Sequence, residues 1–116
     1  MNAAAKRWVK ALRSGKYKQC DGHLANGKGA FCCLGVACEL AKEAGVIKDY
    51  RRSDGALPVD VRTWLGLKST AGTMEGKRKY ADLTDYNDNA KWTFKKIAAL
   101  IERQPKGLFL KKARKS

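Results

Sequence analysis

The 116 residues hold 25 Lys and Arg against 11 Asp and Glu, a formal net charge of +14, with 44% hydrophobic residues. Such a length supports one domain with a modest core that needs no staples. No stretch approaches the roughly 18 apolar residues of a bilayer span, and the opening Met1-Asn2-Ala3-Ala4-Ala5-Lys6-Arg7 lacks the apolar core of a secretory signal, so a cytoplasmic protein is expected.

Ala3 to Ser14 predicts a first helix, with Ala5, Trp8, Val9 and Leu12 on one stripe and Lys6, Arg7, Lys10 and Arg13 opposite. Gly15 suits its left-handed exit. Lys16 to Cys32 is too rich in glycine for a helix. Its sharpest signal is Asn26-Gly27, the strongest hairpin dipeptide, which with a two-residue loop sets Ala25 opposite Lys28, His23 opposite Ala30, Asp21 opposite Cys32 and Cys20 opposite Cys33.

Ala30-Phe31-Cys32-Cys33-Leu34-Gly35-Val36-Ala37-Cys38-Glu39-Leu40-Ala41 is the longest nearly uninterrupted apolar run and predicts a central buried helix. Leu34, Cys38 and Ala41 share one face, while Cys33, Val36, Ala37 and Leu40 cover most of the rest. Only Glu39, Lys42 and Glu43 are left for water. A helix apolar over so much of its circumference must be wrapped by the rest of the chain, and Gly45 is placed to stop it.

Beyond a polar loop holding Arg51 and Arg52, Leu57-Pro58 opens a third helix with Asp60 in its first turn, Val61, Trp64 and Leu65 as its apolar face and Gly66 as its end. A second charged loop carries Lys77-Arg78-Lys79. Tyr80 to Asn89 predicts a short helical turn. Thr93 then caps a last helix from Phe94 to Arg103, with Phe94, Ile97, Ala98 and Ile101 at the i, i+3, i+4, i+7 positions. Residues 1–103 read as one globular domain and 104–116 as a basic C-terminal tail, whose Leu108-Phe109-Leu110 patch is either disordered or docked.

This pattern resembles that of small bacteriophage and prophage proteins, mostly uncharacterised. The residues that carry the likeness are Trp8-Val9, Ala11-Leu12-Arg13-Ser14-Gly15 and Tyr17, the Phe31-Cys32-Cys33-Leu34-Gly35-Val36 and Cys38 run, Leu57-Pro58, Trp64, Gly66-Leu67, Asn87-Asp88 and the Phe94, Ile97-Ala98, Ile101-Glu102 ending. The resemblance implies an accessory protein of host takeover or counter-defence. It brings no activity that could be carried over residue by residue, and Cys20 and the long basic extension depart from the pattern.

Cysteine chemistry has two readings. Zinc is disfavoured, because adjacent Cys32 and Cys33 are not a Cys-x-x-Cys knuckle and Cys33 and Cys38 diverge on a helix. A thiol enzyme would use Cys32 or Cys33 at a helix start, His23 as base and Asn87 or Asp88 to orient it. There is one histidine and no nucleophile signature, so buried thiols acting as small hydrophobes are expected instead. Asn87-Asp88 reads first as capping chemistry for the last helix and second as a ligand contact.

No cofactor is expected. The sequence points to an α+β domain, with a Cys-rich central helix, about three covering helices and a small β-hairpin. It further points to a non-enzymatic protein that binds an anionic partner: a nucleotide signal, or a nucleic-acid-handling defence ribonucleoprotein. Six basic residues lie beyond the last acid, Glu102, yet a strong excess remains without them. Such an excess favours polyanions. Candidate contacts are Arg13, Lys16, Tyr17, Lys18, Arg51, Arg52, Lys77, Arg78, Lys79, Asn87 and Asp88. The alternatives are a sequence-nonspecific DNA- or RNA-binding protein, whose aromatics interleaved with cations would stack on bases, and the cysteine enzyme.

Overall fold

In the computed structural model, which describes residues 1–111, the apolar run folds as α2, Cys33–Glu43, with eight of its residues buried. Cys32 is its N-cap, the sulfur accepting the Gly35 amide at 3.4 Å. Ala44 closes the other end, and Gly45 follows it at φ 75°. The wrapping that so apolar a helix requires comes from four others.

Helix α1, Ala3–Arg13, buries Ala5, Trp8, Val9 and Leu12 as its stripe dictates and lies against α2 and α5. Asn2 caps it through the Ala5 amide at 2.8 Å. The indole of Trp8 donates to the Cys33 carbonyl at 2.8 Å, so α1 is fixed on α2 by a polar contact inside an apolar seam. Helix α3, Val59–Leu65, starts after Pro58 and ends at Gly66 with φ 75°. Its Val61 and Leu65 are buried, while Trp64 is only half-buried. Helix α4, Leu83–Asp88, and helix α5, Phe94–Glu102, complete the wrapping, α5 being capped by Thr93 through the Lys96 amide at 3.3 Å.

The β structure is small, and its pairing differs from the two-residue hairpin. Strands β1, Lys18–Gln19, and β2, Ala30–Phe31, run parallel, with Lys18 beside Ala30 and Gln19 beside Phe31. The turn at Asn26-Gly27 exists, but it is wider: Ala25 bridges Phe31, and the Asn26 amide donates to the Ala30 carbonyl at 3.1 Å. The Asn26 side chain accounts for the extra length, since its Oδ1 accepts from the amides of Lys28 and Ala30 and closes the loop from inside. Gly27 and Gly29 both take positive φ to allow this.

The edge beyond residues 24–25 is covered by the loop that holds Arg51 and Arg52, with the Leu24 amide bonded to the Asp54 carbonyl and the Ala25 amide to the Arg52 carbonyl. Leu24 also crosses the start of α2 so closely that a Cβ on Gly35 would stand 1.8 Å from its carbonyl oxygen. A glycine inside this helix is thus a condition of the crossing.

Residues 104–110, read from sequence as the start of a tail, pack onto the domain. Leu108 is fully buried, its carbonyl accepts from the Lys68 amide at 2.9 Å, and the Leu110 amide donates to the Gly66 carbonyl at 2.8 Å. Of the two fates open to the Leu108-Phe109-Leu110 patch, docking is the one observed. Residues 112–116, and with them Lys112, Arg114 and Lys115, lie outside the described residues. Among the described residues no helix is long and apolar enough to cross a membrane.

Candidate functional site

Asn87 is the one fully buried polar side chain among the described residues. Its Oδ1 accepts from Gln19 Nε2 at 2.8 Å and from the Cys33 amide at 3.2 Å. Its Nδ2 donates to the Cys20 carbonyl and to Asp88 Oδ1, each at 2.8 Å. Those four bonds fill the capacity of a carboxamide. The parallel ladder explains the arrangement. The Cys20 amide donates to the Phe31 carbonyl at 2.9 Å, and in that register the next bond would join the Cys33 amide to the Cys20 carbonyl. The side chain of Asn87 stands between those two groups and serves each of them. Asn87 therefore caps the start of α2, not of α5 as the sequence suggests, and a buried amide with no free position has none to offer a ligand. Asp88, half-buried, is held by Asn87.

The basic candidates fall into separate groups. Arg13 is engaged by Glu102 through two bonds of 2.9 and 2.7 Å, and this guanidinium holds the Glu102 carboxyl below its usual range. Lys16 lies 5.6 Å from the centroid of Tyr17, whose ring meets Phe31 edge to face at 5.9 Å. Lys18 is exposed on β1, Arg51 is exposed in its loop, and the Arg52 guanidinium lies 5.8 Å from the Tyr50 ring. Because residues 18–19, 30–31, 24–25 and 52–54 form one continuous hydrogen-bonded ribbon, the fold brings the 16–18 and 51–52 groups onto a common structure.

Lys77, Arg78 and Lys79 sit on a different turn, closed by the Thr73 and Asp82 bridge and by Arg78 Nε donating to the Glu75 carbonyl at 3.2 Å. The three cation groups do not converge through any shared pairing.

The structure adds a row of rings that sequence order conceals. Lys79 Nζ lies 5.7 Å from the centroid of Tyr80, Tyr80 meets Tyr86 at 5.6 Å, Tyr86 meets Trp92 at 4.6 Å, and Lys96 Nζ stands 5.0 Å over Trp92. The neighbours Lys79-Tyr80 and Lys91-Trp92 are visible in sequence. Only folding adds Tyr86 from α4 and Lys96 from α5 to them. Tyr80 and Trp92 are half-buried, and neither Lys79 nor Lys96 forms a salt bridge among the described residues.

The thiols are placed for packing. Burial pushes the Cys32 thiol up to about 11 and Cys38 to about 12, and raises Cys33 well above the ordinary thiol range. The helix start that would favour a Cys32 thiolate is outweighed by desolvation. Cys20 is half-buried and raised for the same reason. Among the described residues no cluster of His, Cys, Asp and Glu has metal-binding geometry.

A family model described as Domain of unknown function (DUF8296) matches residues 1–105. The chain belongs to this family. No curated protein and no solved structure matches it. A depression on the DUF8296 domain, about 710 Å³, is lined by Asn2, Leu65, Gly66, Gln104 and Pro105 from the matched residues and by Lys106, Phe109 and Leu110 from beyond them. Neither the aromatic row nor the ribbon of cations borders it.

Proposed function

We propose that this DUF8296 protein is a non-enzymatic binding protein for an anionic, nucleotide-bearing partner, acting as a phage-type accessory factor that occupies a nucleic-acid-handling complex of host defence. The observation that carries the reading is the unmatched charge. Among the described residues, five ion pairs engage five of the eleven acids and five basic residues, so most of the described Lys and Arg side chains have no acid partner there. An excess of this size attracts polyanions and speeds their association. The cations lie on several loops, as contacts along an extended phosphate backbone require, and this favours nucleic acid over one sequestered small nucleotide. The likeness to small phage proteins supports the setting. Buried thiols held in the protonated form favour binding over cysteine chemistry.

The test is the salt dependence of binding to DNA and RNA, together with identification of what the protein, purified from phage-infected cells, releases on denaturation. Log affinity should fall linearly with log salt, in proportion to the phosphates contacted. Release of one small nucleotide whose binding survives moderate salt would favour the sequestering role instead. Absence of any polyanion binding at low salt would overturn the proposal.

A further inference from the structure

Resting on the polyanion reading above, we infer that Tyr80 and Trp92, joined through the buried ring of Tyr86, form a stacking strip for single-stranded nucleic acid, with Lys79 and Lys96 contacting phosphates at its two ends. Three aromatic rings in succession occur nowhere else among the described ring pairs, and a cation closes each end. Tyr86, only 7% exposed, belongs to the core and joins the two outer rings, whereas Tyr80 and Trp92 pack against that core and remain partly exposed. Tyr80 and Trp92 therefore present the surface on which a base can stack.

Tyr50 shows what a saturated aromatic looks like in this protein. Its hydroxyl donates to Glu39 at 2.7 Å, so an acid already occupies the position a phosphate would need.

Trp92 is presented on a fixed backbone. Its amide donates to the Tyr86 carbonyl at 2.9 Å, and its carbonyl accepts from Gln19 Nε2 at 2.8 Å. The preceding residue, Lys91, is held at φ 56°, a left-handed conformation unusual for a residue with a side chain, and is ion-paired with Asp21. Backbone strain of this kind persists only where the surrounding structure enforces it, and it collects at sites that present a side chain for a task. Lys91 is thus committed to its acid, while Lys96 has no acid partner among the described residues. A base stacked on the indole gains more than a cation over an exposed ring, so an arriving base displaces the Lys96 ammonium from the indole toward the adjoining phosphate.

The three aspartates of α4 and its cap are held by neutral donors and keep their charge: Asp82 accepts from Thr73 Oγ1, Asp85 from Asn89 Nδ2 and Asp88 from Asn87 Nδ2. They disfavour phosphates beside α4, which leaves the lysine ends for them. Splayed bases over rings with phosphates at the margins is the geometry of single strands; in a duplex the base faces are already stacked on each other.

The experiment uses the full chain and a labelled single strand of ~12 thymidines, within the span typical of such sites, beside a duplex of equal length and heparin. Expected is a preference for the single strand, with Trp92→Ala losing about ten-fold or more in affinity and Trp92→Phe losing less. If Trp92→Ala proves unfolded by circular dichroism, Lys79→Gln with Lys96→Gln decides: this pair should lose several times more affinity than the equally charged pair Lys10→Gln with Lys48→Gln. Equal binding of strand and duplex, with Trp92 variants at parental affinity and losses that follow only the number of cations removed, would overturn the strip and leave the polyanion reading standing. Failure to bind strand, duplex and heparin alike at low salt would overturn both.

Discussion

The side-chain amide of Asn87 occupies the position that a backbone bond from the Cys33 amide to the Cys20 carbonyl would hold, extending the parallel ladder into the first turn of α2. Replacing it with Ala leaves the buried Cys33 amide and the part-buried Cys20 carbonyl without partners. A buried group left so costs about 1–3 kcal/mol and a part-buried one, which water can reach, about 1, so Asn87→Ala should destabilise the domain by about 2–4 kcal/mol in urea unfolding. Asn87→Asp separates the two halves of the role. It keeps the acceptor for Cys33 but, when ionised, offers no donor to Cys20 and sets a second carboxylate against Asp88. Its deficit should be large at neutral pH and shrink as pH falls through the carboxyl's folded pKa, which burial and the neighbouring Asp88 raise above the ordinary range, because a protonated carboxyl can donate again. Absence of any deficit in this isosteric variant would show that Asn87 acts by volume alone.

Gly35 gives a test in which two principles predict opposite signs. Within a helix, Gly→Ala is favourable by about 1 kcal/mol. Here the new Cβ would lie 1.8 Å from the Leu24 carbonyl oxygen and 3.3 Å from Phe31 Cβ, and the Leu24 oxygen is the acceptor for the Cys32 amide at 3.0 Å. Sterics should win: Gly35→Ala is expected to cost about 1–3 kcal/mol net, with a lowered thermal midpoint. A stabilised variant would mean that the 24–25 crossing is not held against α2.

The thiols order their own reactivity. At about pH 8, near the ordinary thiol range, an alkylating reagent should label Cys20 first, with Cys32, Cys33 and Cys38 protected until the chain unfolds. The thiols are raised in the folded state, so the native protein retains protons that the unfolded chain releases. The stability they contribute is therefore full below about pH 8.5–9 and is lost as pH rises toward the folded values near 11 and 12, with a slope of up to about 1.4 kcal/mol per pH unit for each thiol. Cys32→Ala should leave polyanion binding intact. Rapid labelling of Cys32 in the native protein at neutral pH would revive the thiol-enzyme reading.

These residues also show what the sequence discloses and what it withholds. The helices are legible because each has its own periodic stripe and its own stop: Gly15, Gly45 and Gly66 all take the left-handed conformation expected of them. The parallel pairing is not legible, since Asn26-Gly27 signals a turn while its width depends on where the Asn26 side chain bonds. The role of Asn87 is hidden for a related reason: its partners, Gln19, Cys20 and Cys33, are more than fifty positions away. Likewise the cations are countable in sequence, but which of them acids neutralise is decided by pairings such as Arg13 with Glu102 and Lys91 with Asp21.

That neutralisation separates an arginine and a lysine that look equally available in sequence. Arg13 is matched by Glu102, and its removal exchanges one missing cation for one released anion. Arg13→Gln should therefore shift the slope of log affinity against log salt very little, whereas Lys79→Gln should reduce it by about one for every phosphate that the side chain no longer reaches. Equal shifts for the two variants would mean that binding follows net charge without regard to position.

The last test concerns the segment that joins the domain after α5. The family match ends at residue 105, three positions short of Leu108, which is fully buried next to the bridge between Phe109 and the equally buried Leu67. Leu108→Ala removes most of a core side chain where the backbone bonds of Lys68 and Leu110 hinder collapse around the gap, and should cost about 2–5 kcal/mol. Leu110, 51% exposed, makes the control: Leu110→Ala should stay within about 0.5 kcal/mol of the parent. Because Glu75 and Lys68 are both bonded through their amides to this segment, the loss for Leu108→Ala should appear in hydrogen exchange at residues 66–68 and 75 before α2 is affected. Simultaneous loss of protection in α2 would make the segment part of one cooperative unit with the central helix, and equal stability of the Leu108 and Leu110 variants would return residues 106–110 to the status of a tail.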